Sequence, residues 1–195
     1  MTPTRLNALT DGVVAIVMTI MVLELKFPAN STFEAALAVL PLLAAYLLAF
    51  VNVAIYWNNH HHMMQSAHKV TGGILWANHA LLFWLTLFPP TIRWIDEAGV
   101  TAWPVASFGI VLVGAALSYR VLEWALIRAE GDGSAVKRAV GGGGKEWISF
   151  SLYLAAVPGA FLSPYISIAC YVVVSIMWVI PDRRFERELF ERIER

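Results

Sequence analysis

Three short polar clusters interrupt an otherwise apolar first half of the chain: Arg5-Leu-Asn-Ala-Leu-Thr10-Asp11, Trp57-Asn-Asn-His60-His61-His62 and Trp76-Ala-Asn78-His79. Each combines groups that ionise or hydrogen-bond, and each sits at the edge of a long apolar run, where such groups are costly unless they serve a purpose. Their types allow three kinds of chemistry. One is a polar network locking helices together around a pore. A second is a proton relay through the imidazoles and Asp11. The third is a metal site built on His60, His61 and His62. The third fits badly, because neighbouring residues on a helix point about 100° apart and cannot converge on one ion. The single cysteine, Cys170, adds no thiolate set.

Helical geometry sharpens the first two. Trp57, His60 and His61 are related as i, i+3 and i+4 and share a face. Arg5 and Asp11 lie about 120° apart round a helix and need partners on other helices. His60, His61 and Asn78 are the expected partners of Asp11, and His62 is expected among headgroups and water.

The elements that carry these clusters follow from charge. Of 195 residues, 58% are hydrophobic and only 14% charged, against about 25% in soluble domains, so a charged, water-facing surface is hard to build. Lys, Arg, Asp and Glu are absent between Glu34 and Lys69, Lys69 and Arg93, Glu97 and Arg120, and Glu146 and Asp182. About 20 apolar residues span a bilayer as a helix. Pro158, Gly159, Ser163 and Pro164 divide the last gap. The expectation is an all-α integral membrane protein, a single domain over 1–195 with six transmembrane helices at about 6–26, 35–62, 72–92, 101–124, 146–162 and 164–181. The second is longer than a bilayer requires. Asp11 and the lack of a small-x-small site make 6–26 a retained helix rather than a signal peptide. Glycine-rich 128–145 reads as a loop with room for a short helix, and 182–195 as a cytoplasmic amphipathic tail.

Orientation follows from the basic residues. Twelve of the 14 lie on the side holding Arg5, Lys69, Arg120 and the tail; only Lys26 and Arg93 lie opposite. The positive side is cytoplasmic, so both termini are inside and all three polar clusters share the cytoplasmic end. A formal net charge of zero argues against a nucleic-acid partner.

In the first span Ile16, Thr19, Ile20 and Leu23 fall within about 100° of arc. Pattern alone does not distinguish a packing stripe from a pore-lining one. A resemblance does. Arg5-x-x-x-Leu9-Thr10-Asp11, followed by Ala15-Ile16-x-x-Thr19-Ile20-x-Val22-Leu23-x-Leu25-x-x-Pro28, resembles the prokaryotic form of the lysosomal potassium-channel family, transmembrane protein 175. The family opens R-x-x-x-F-S-D, so Leu9 and Thr10 are mild departures. Trp57-x-x-His60-His61 resembles its W-x-x-H-H, and Asn78 with Leu81 to Pro90 its third span. The resemblance covers the first half of the chain.

It implies a potassium-preferring cation channel in a prokaryotic cell membrane. The chain would act as a homotetramer in the lipid bilayer, with the first helix of each subunit lining the pore. It implies that Ile16 forms the narrowest apolar ring, that Ile20 and Leu23 form further rings, and that Thr19 forms a hydroxyl layer. Arg5, Thr10, Asp11, Trp57, His60, His61 and Asn78 form the structural network. The permeant ion is K+, and no cofactor, metal or catalytic residue is expected. The chain lacks the T-V-G-Y-G string of a carbonyl filter, so ion preference would come from elsewhere, and the apolar ring that the resemblance implies would give a modest one. The competing reading is a proton-coupled secondary transporter using Asp11 and the His60/His61 cluster, although no internal repeat or midplane helix break marks one. An intramembrane enzyme lacks a recognisable nucleophile or metal set.

Overall fold

The computed structural model describes residues 2–30, 32–131, 137 and 144–179, and among these every regular element is an α-helix. The helices are α1 (Pro3–Leu23), α2 (Phe33–Ala38), α3 (Leu40–Gln65), α4 (Gly72–Leu85), α5 (Phe88–Ala98), α6 (Ala102–Glu130), α7 (Gly144–Gly159) and α8 (Pro164–Val179). They fall into six helical units, because α2 runs into α3 and α4 into α5.

Local chemistry sets the boundaries. The Thr32 hydroxyl accepts from Ala35 N–H at 3.2 Å, and the Thr71 hydroxyl from Ile74 N–H at 3.4 Å; each thereby caps a helix start. Pro41 enters the first turn of α3, where its missing N–H is tolerated but the bond that would continue α2 is lost. Pro89 and Pro90 do the same at the start of α5. The expected third span of 72–92 is therefore two helices meeting at Thr86–Leu87, and α5 continues to Ala98. α6 outruns its expected end at 124 by six residues, since nothing in Arg120–Glu130 breaks a helix before Gly131, whose φ is 94°. α7 closes at Pro158–Gly159, and a turn over 160–162 feeds α8. Most of the expected loop after residue 130 and all of the expected tail 182–195 lie outside the described residues.

α1, the joined α2–α3 and α6 are long and apolar enough to cross a membrane; α8 is apolar but shorter. α6 is the hub, packed on α4, α5, α7 and α8, and it contributes Phe108, Leu112, Ala115 and Leu122 to the core. Gly114 and Gly109 let neighbours approach α6 closely. A Cβ at Gly114 would collide with the Trp84 indole, and one at Gly109 with the Tyr171 hydroxyl. α8 is tied to α3 and α7 by a buried network: Asn52 Nδ2 donates to Ser175 Oγ at 2.9 Å, and Tyr153 Oη donates to Asn52 Oδ1 at 3.3 Å. α1 lies at the edge of the bundle, packed on α3, α4 and α5.

Candidate functional site

α1 buries Leu6, Thr10, Val14, Val17 and Met21, which fall within about 80° of arc. The stripe Ile16, Thr19, Ile20 and Leu23 is centred about 130° round the helix from it and is uncovered: Ile16 is 59% exposed, Ile20 40% and Leu23 78%. Thr19 Oγ1 donates to Ile16 O at 2.8 Å, with Ala15 O at 3.1 Å. Its proton is thus committed to the backbone, and its oxygen is left as an acceptor on the exposed face.

The polar clusters meet at one end of α1, but as two groups. The first is buried. Asn78 Nδ2 donates to Thr10 Oγ1 at 3.1 Å, and His60 Nε2 lies 2.8 Å from Asn78 Oδ1, which can only accept, so the imidazole donates. Thr10, Asn78 and His60 are 1%, 0% and 2% exposed. One residue from each of α1, α3 and α4 thereby satisfies the others' polar valences, which a low-dielectric site demands.

The second group faces outward. Trp57 Nε1 donates to Asp11 Oδ1 at 2.8 Å. The His61 ring stacks on Trp57 at 5.5 Å and 21°, and its Nε2 accepts from Gln65 Nε2 at 2.8 Å. The expectation that Asp11 is held by His60, His61 or Asn78 is therefore corrected: its partner is the indole. Asp11 is one residue, and so about 100°, from Thr10 and cannot reach the same contacts. Arg5 is exposed and joins neither group among the described residues. Of the polar and aromatic side chains in the third cluster only Asn78 turns inward; Trp76 is exposed and His79 Nδ1 donates back to Leu75 O at 2.7 Å.

At the other end of α1, a groove of about 410 Å³ separates Ile16 and Ile20 from Thr86, Pro89 and Pro90, and is bounded by Glu24 and Arg93. Beside it Glu97 accepts from Arg93 Nε at 3.0 Å and from Lys26 Nζ at 3.3 Å. These hydrogen bonds, the Arg93 one first, hold the Glu97 carboxyl below the usual carboxylate range. The only two basic residues assigned to the outer side thus share one carboxylate. The i, i+4 spacing of Arg93 and Glu97 was a signal for half of this cluster; the Lys26 contact had none. Among the described residues no group of three His, Cys, Asp or Glu side chains is placed to hold an ion.

Fold and site define a class: an all-α membrane protein whose first helix leaves an apolar, threonine-bearing face bare above a buried polar lock. The family model for the endosomal/lysosomal potassium channel TMEM175 matches residues 5–89, the stretch holding every residue of the stripe and of both polar groups. A potassium channel of Chryseobacterium sp. (strain P1-3) is 47% identical over 191 residues, covering 98% of this chain and all of the relative. A potassium channel of Streptomyces collinus is 30% identical over 132 residues, 64% of each. The crystal structure of a lysosomal potassium-selective channel TMEM175 homolog from Chamaesiphon minutus superposes with a TM-score of 0.78 at 23% identity, over 91% of this chain and 96% of that one, and shares its fold. The chain belongs to the TMEM175 potassium-channel family.

Proposed function

We propose that the chain is a potassium-preferring cation channel of a prokaryotic cell membrane. It crosses the bilayer six times with both termini cytoplasmic and assembles as a homotetramer around its four α1 helices. One observation carries this reading: α1 has two apolar faces, and the one bearing Thr19 is left uncovered. A lipid-facing stripe has no use for a hydroxyl whose acceptor points outward, whereas a pore for cations does.

The mechanism follows from the side chains. Four Ile16 side chains around an axis make a constriction too apolar to hold continuous water, which closes by dewetting. Potassium sheds water more readily than sodium because its charge is less concentrated, so a narrow apolar ring favours it modestly without coordinating it. The Thr19 oxygens, with their protons turned to the backbone, hold the partly stripped ion or its waters beside the ring. Ile20 and Leu23 extend the apolar segment outward. Arg5 stands at the cytoplasmic end of the helix, and the Thr10–Asn78–His60 lock fixes the angle at which α1 leaves its own subunit. The transporter alternative is weaker, since His60 is taken up by Asn78 and Asp11 by Trp57. No cofactor or catalytic step enters this function.

The test is the reversal potential of purified protein in planar bilayers under potassium/sodium gradients. Ile16→Asn keeps a similar size but offers hydrogen bonds to water, so conductance should rise and discrimination between the two ions should fall. Unchanged conductance and potential in folded, tetrameric protein would remove Ile16 from the pore.

A further inference from the structure

The groove beside α1 is offset from the bare stripe. Around the helix its residues Val13, Ile16, Val17, Ile20 and Glu24 centre about 65° to one side of the middle of the stripe. Its far wall is Thr86, Pro89 and Pro90, at the break between α4 and α5, and its volume is about 410 Å³. About 60° to the other side of the stripe runs a face of small residues: Ala8, Gly12, Ala15 and, at its border with the stripe, Thr19. Their spacing of i, i+4, i+7 and i+11 keeps them on one line along the helix, and all four are exposed. Gly12 makes no use of its small size within its own chain. A Cβ there would meet nothing within 4 Å, whereas Gly109 and Gly114 are pressed by neighbouring side chains. Glycine inside a helix is unfavourable against alanine, so the contact that needs it points outside the chain.

Groove and small face thus flank the stripe on opposite sides. Around a four-fold axis, a helix that turns its stripe inward meets one neighbour about 45° to either side of the direction to the axis. We propose, resting on the tetrameric reading above, that the small face of one copy's α1 seats in the groove of the next copy. Ala15 and Thr19 are level with the groove along the helix and enter between the next copy's α1 and α5. The contact is head-to-tail, so it repeats around the ring and closes after four. Small residues let helices approach closely, and this approach sets how near the four Ile16 side chains come to the axis. A lipid chain would explain the groove but not the face opposite it.

The test is cross-linking of the full chain in liposomes, in a Cys170→Ser background. Ala15 lies about 155° round α1 from the groove, so it cannot meet Thr86 of its own chain. Ala15→Cys combined with Thr86→Cys, treated with a short bismaleimide, should give covalent dimer, trimer and tetramer on denaturing gels. Either cysteine alone joins two chains at most. Bands no larger than those of the single variants, in protein that native mass measurement shows to be tetrameric, would overturn the contact and leave the channel reading standing. Monomer alone would remove both. Ala15→Leu provides a second measure. Its side chain points into open space on the single chain, so circular dichroism should match the wild type. The tetramer fraction should fall at least about tenfold, the effect of overpacking a close contact. An unchanged fraction would overturn the proposal even if the double variant failed to fold.

Discussion

The two faces of α1 are made of nearly the same residues and behave as opposites. One carries Leu6, Val14, Val17 and Met21 around Thr10 and is sealed against α3, α4 and α5; the other carries Ile16, Ile20 and Leu23 around Thr19 and stays largely open, with Ile16 and Ile20 facing Thr86, Pro89 and Pro90 across a groove. The threonines mark the difference. On the sealed face the Thr10 hydroxyl accepts from Asn78, so its polarity is spent on holding helices together. On the bare face the Thr19 hydroxyl bonds only its own backbone. Apolar content therefore does not separate a packing face from a candidate pore face; where the single polar atom finds its partner does.

The contrast breaks most visibly at adjacent residues. Val17→Asn places an amide among Leu-like neighbours at a position 3% exposed and should cost about 2–3 kcal/mol, seen as a large fall in Tm and loss of folded protein in detergent. Ile16→Asn, one residue away, should leave Tm nearly unchanged while altering conduction. Equal thermal losses in the two variants would mean the faces do not differ.

Asn78→Ala comes next. It strips Thr10 and His60 of a shared partner at a fully buried site and should cost about 1–2 kcal/mol, within the span for interhelical hydrogen bonds in membrane proteins. The check is Tm together with the tetramer fraction by native mass measurement. Asp11→Ala removes only the exposed indole bond. It should lower Tm and tetramer fraction by less than Asn78→Ala does, with ion preference retained. A variant that assembled normally but lost its preference would place Asp11 in the permeation path.

The smallest effect is at the other end of α1. With its folded pKa depressed, Glu97 contributes stability above its unfolded value of about 4.5 and loses it as pH falls through the lower folded value. The Tm difference between wild type and Glu97→Gln should therefore be slight at neutral pH, because the cluster is exposed, and should vanish in acid. A difference that grew on acidification would reverse the sign of the argument.

The helical class, the membrane setting and the period of the α1 stripe were legible because they depend on nearest-neighbour chemistry: apolar runs between charges, proline and glycine at boundaries, and 100° per residue. The Thr10, Asp11, Trp57, His60, His61 and Asn78 positions were legible as polar groups at one depth for the same reason. Their pairing was not. Whether Asp11 meets an imidazole or an indole depends on how α3 is rotated against α1, which no spacing within one helix encodes. The break at Thr86–Leu87 is encoded by Pro89 and Pro90, but hydropathy runs uninterrupted across it and so masks the division of the span. The Asn52–Ser175–Tyr153 lock and the Lys26–Glu97–Arg93 cluster join residues up to 123 positions apart, as does the collision space that makes Gly114 and Gly109 necessary. The sequence by itself determined which segments are helices, which ends are charged and which arc of α1 repeats. Only the tertiary structure decided which arc is covered, because burial is a property of two surfaces brought together and each helix contains only one of them.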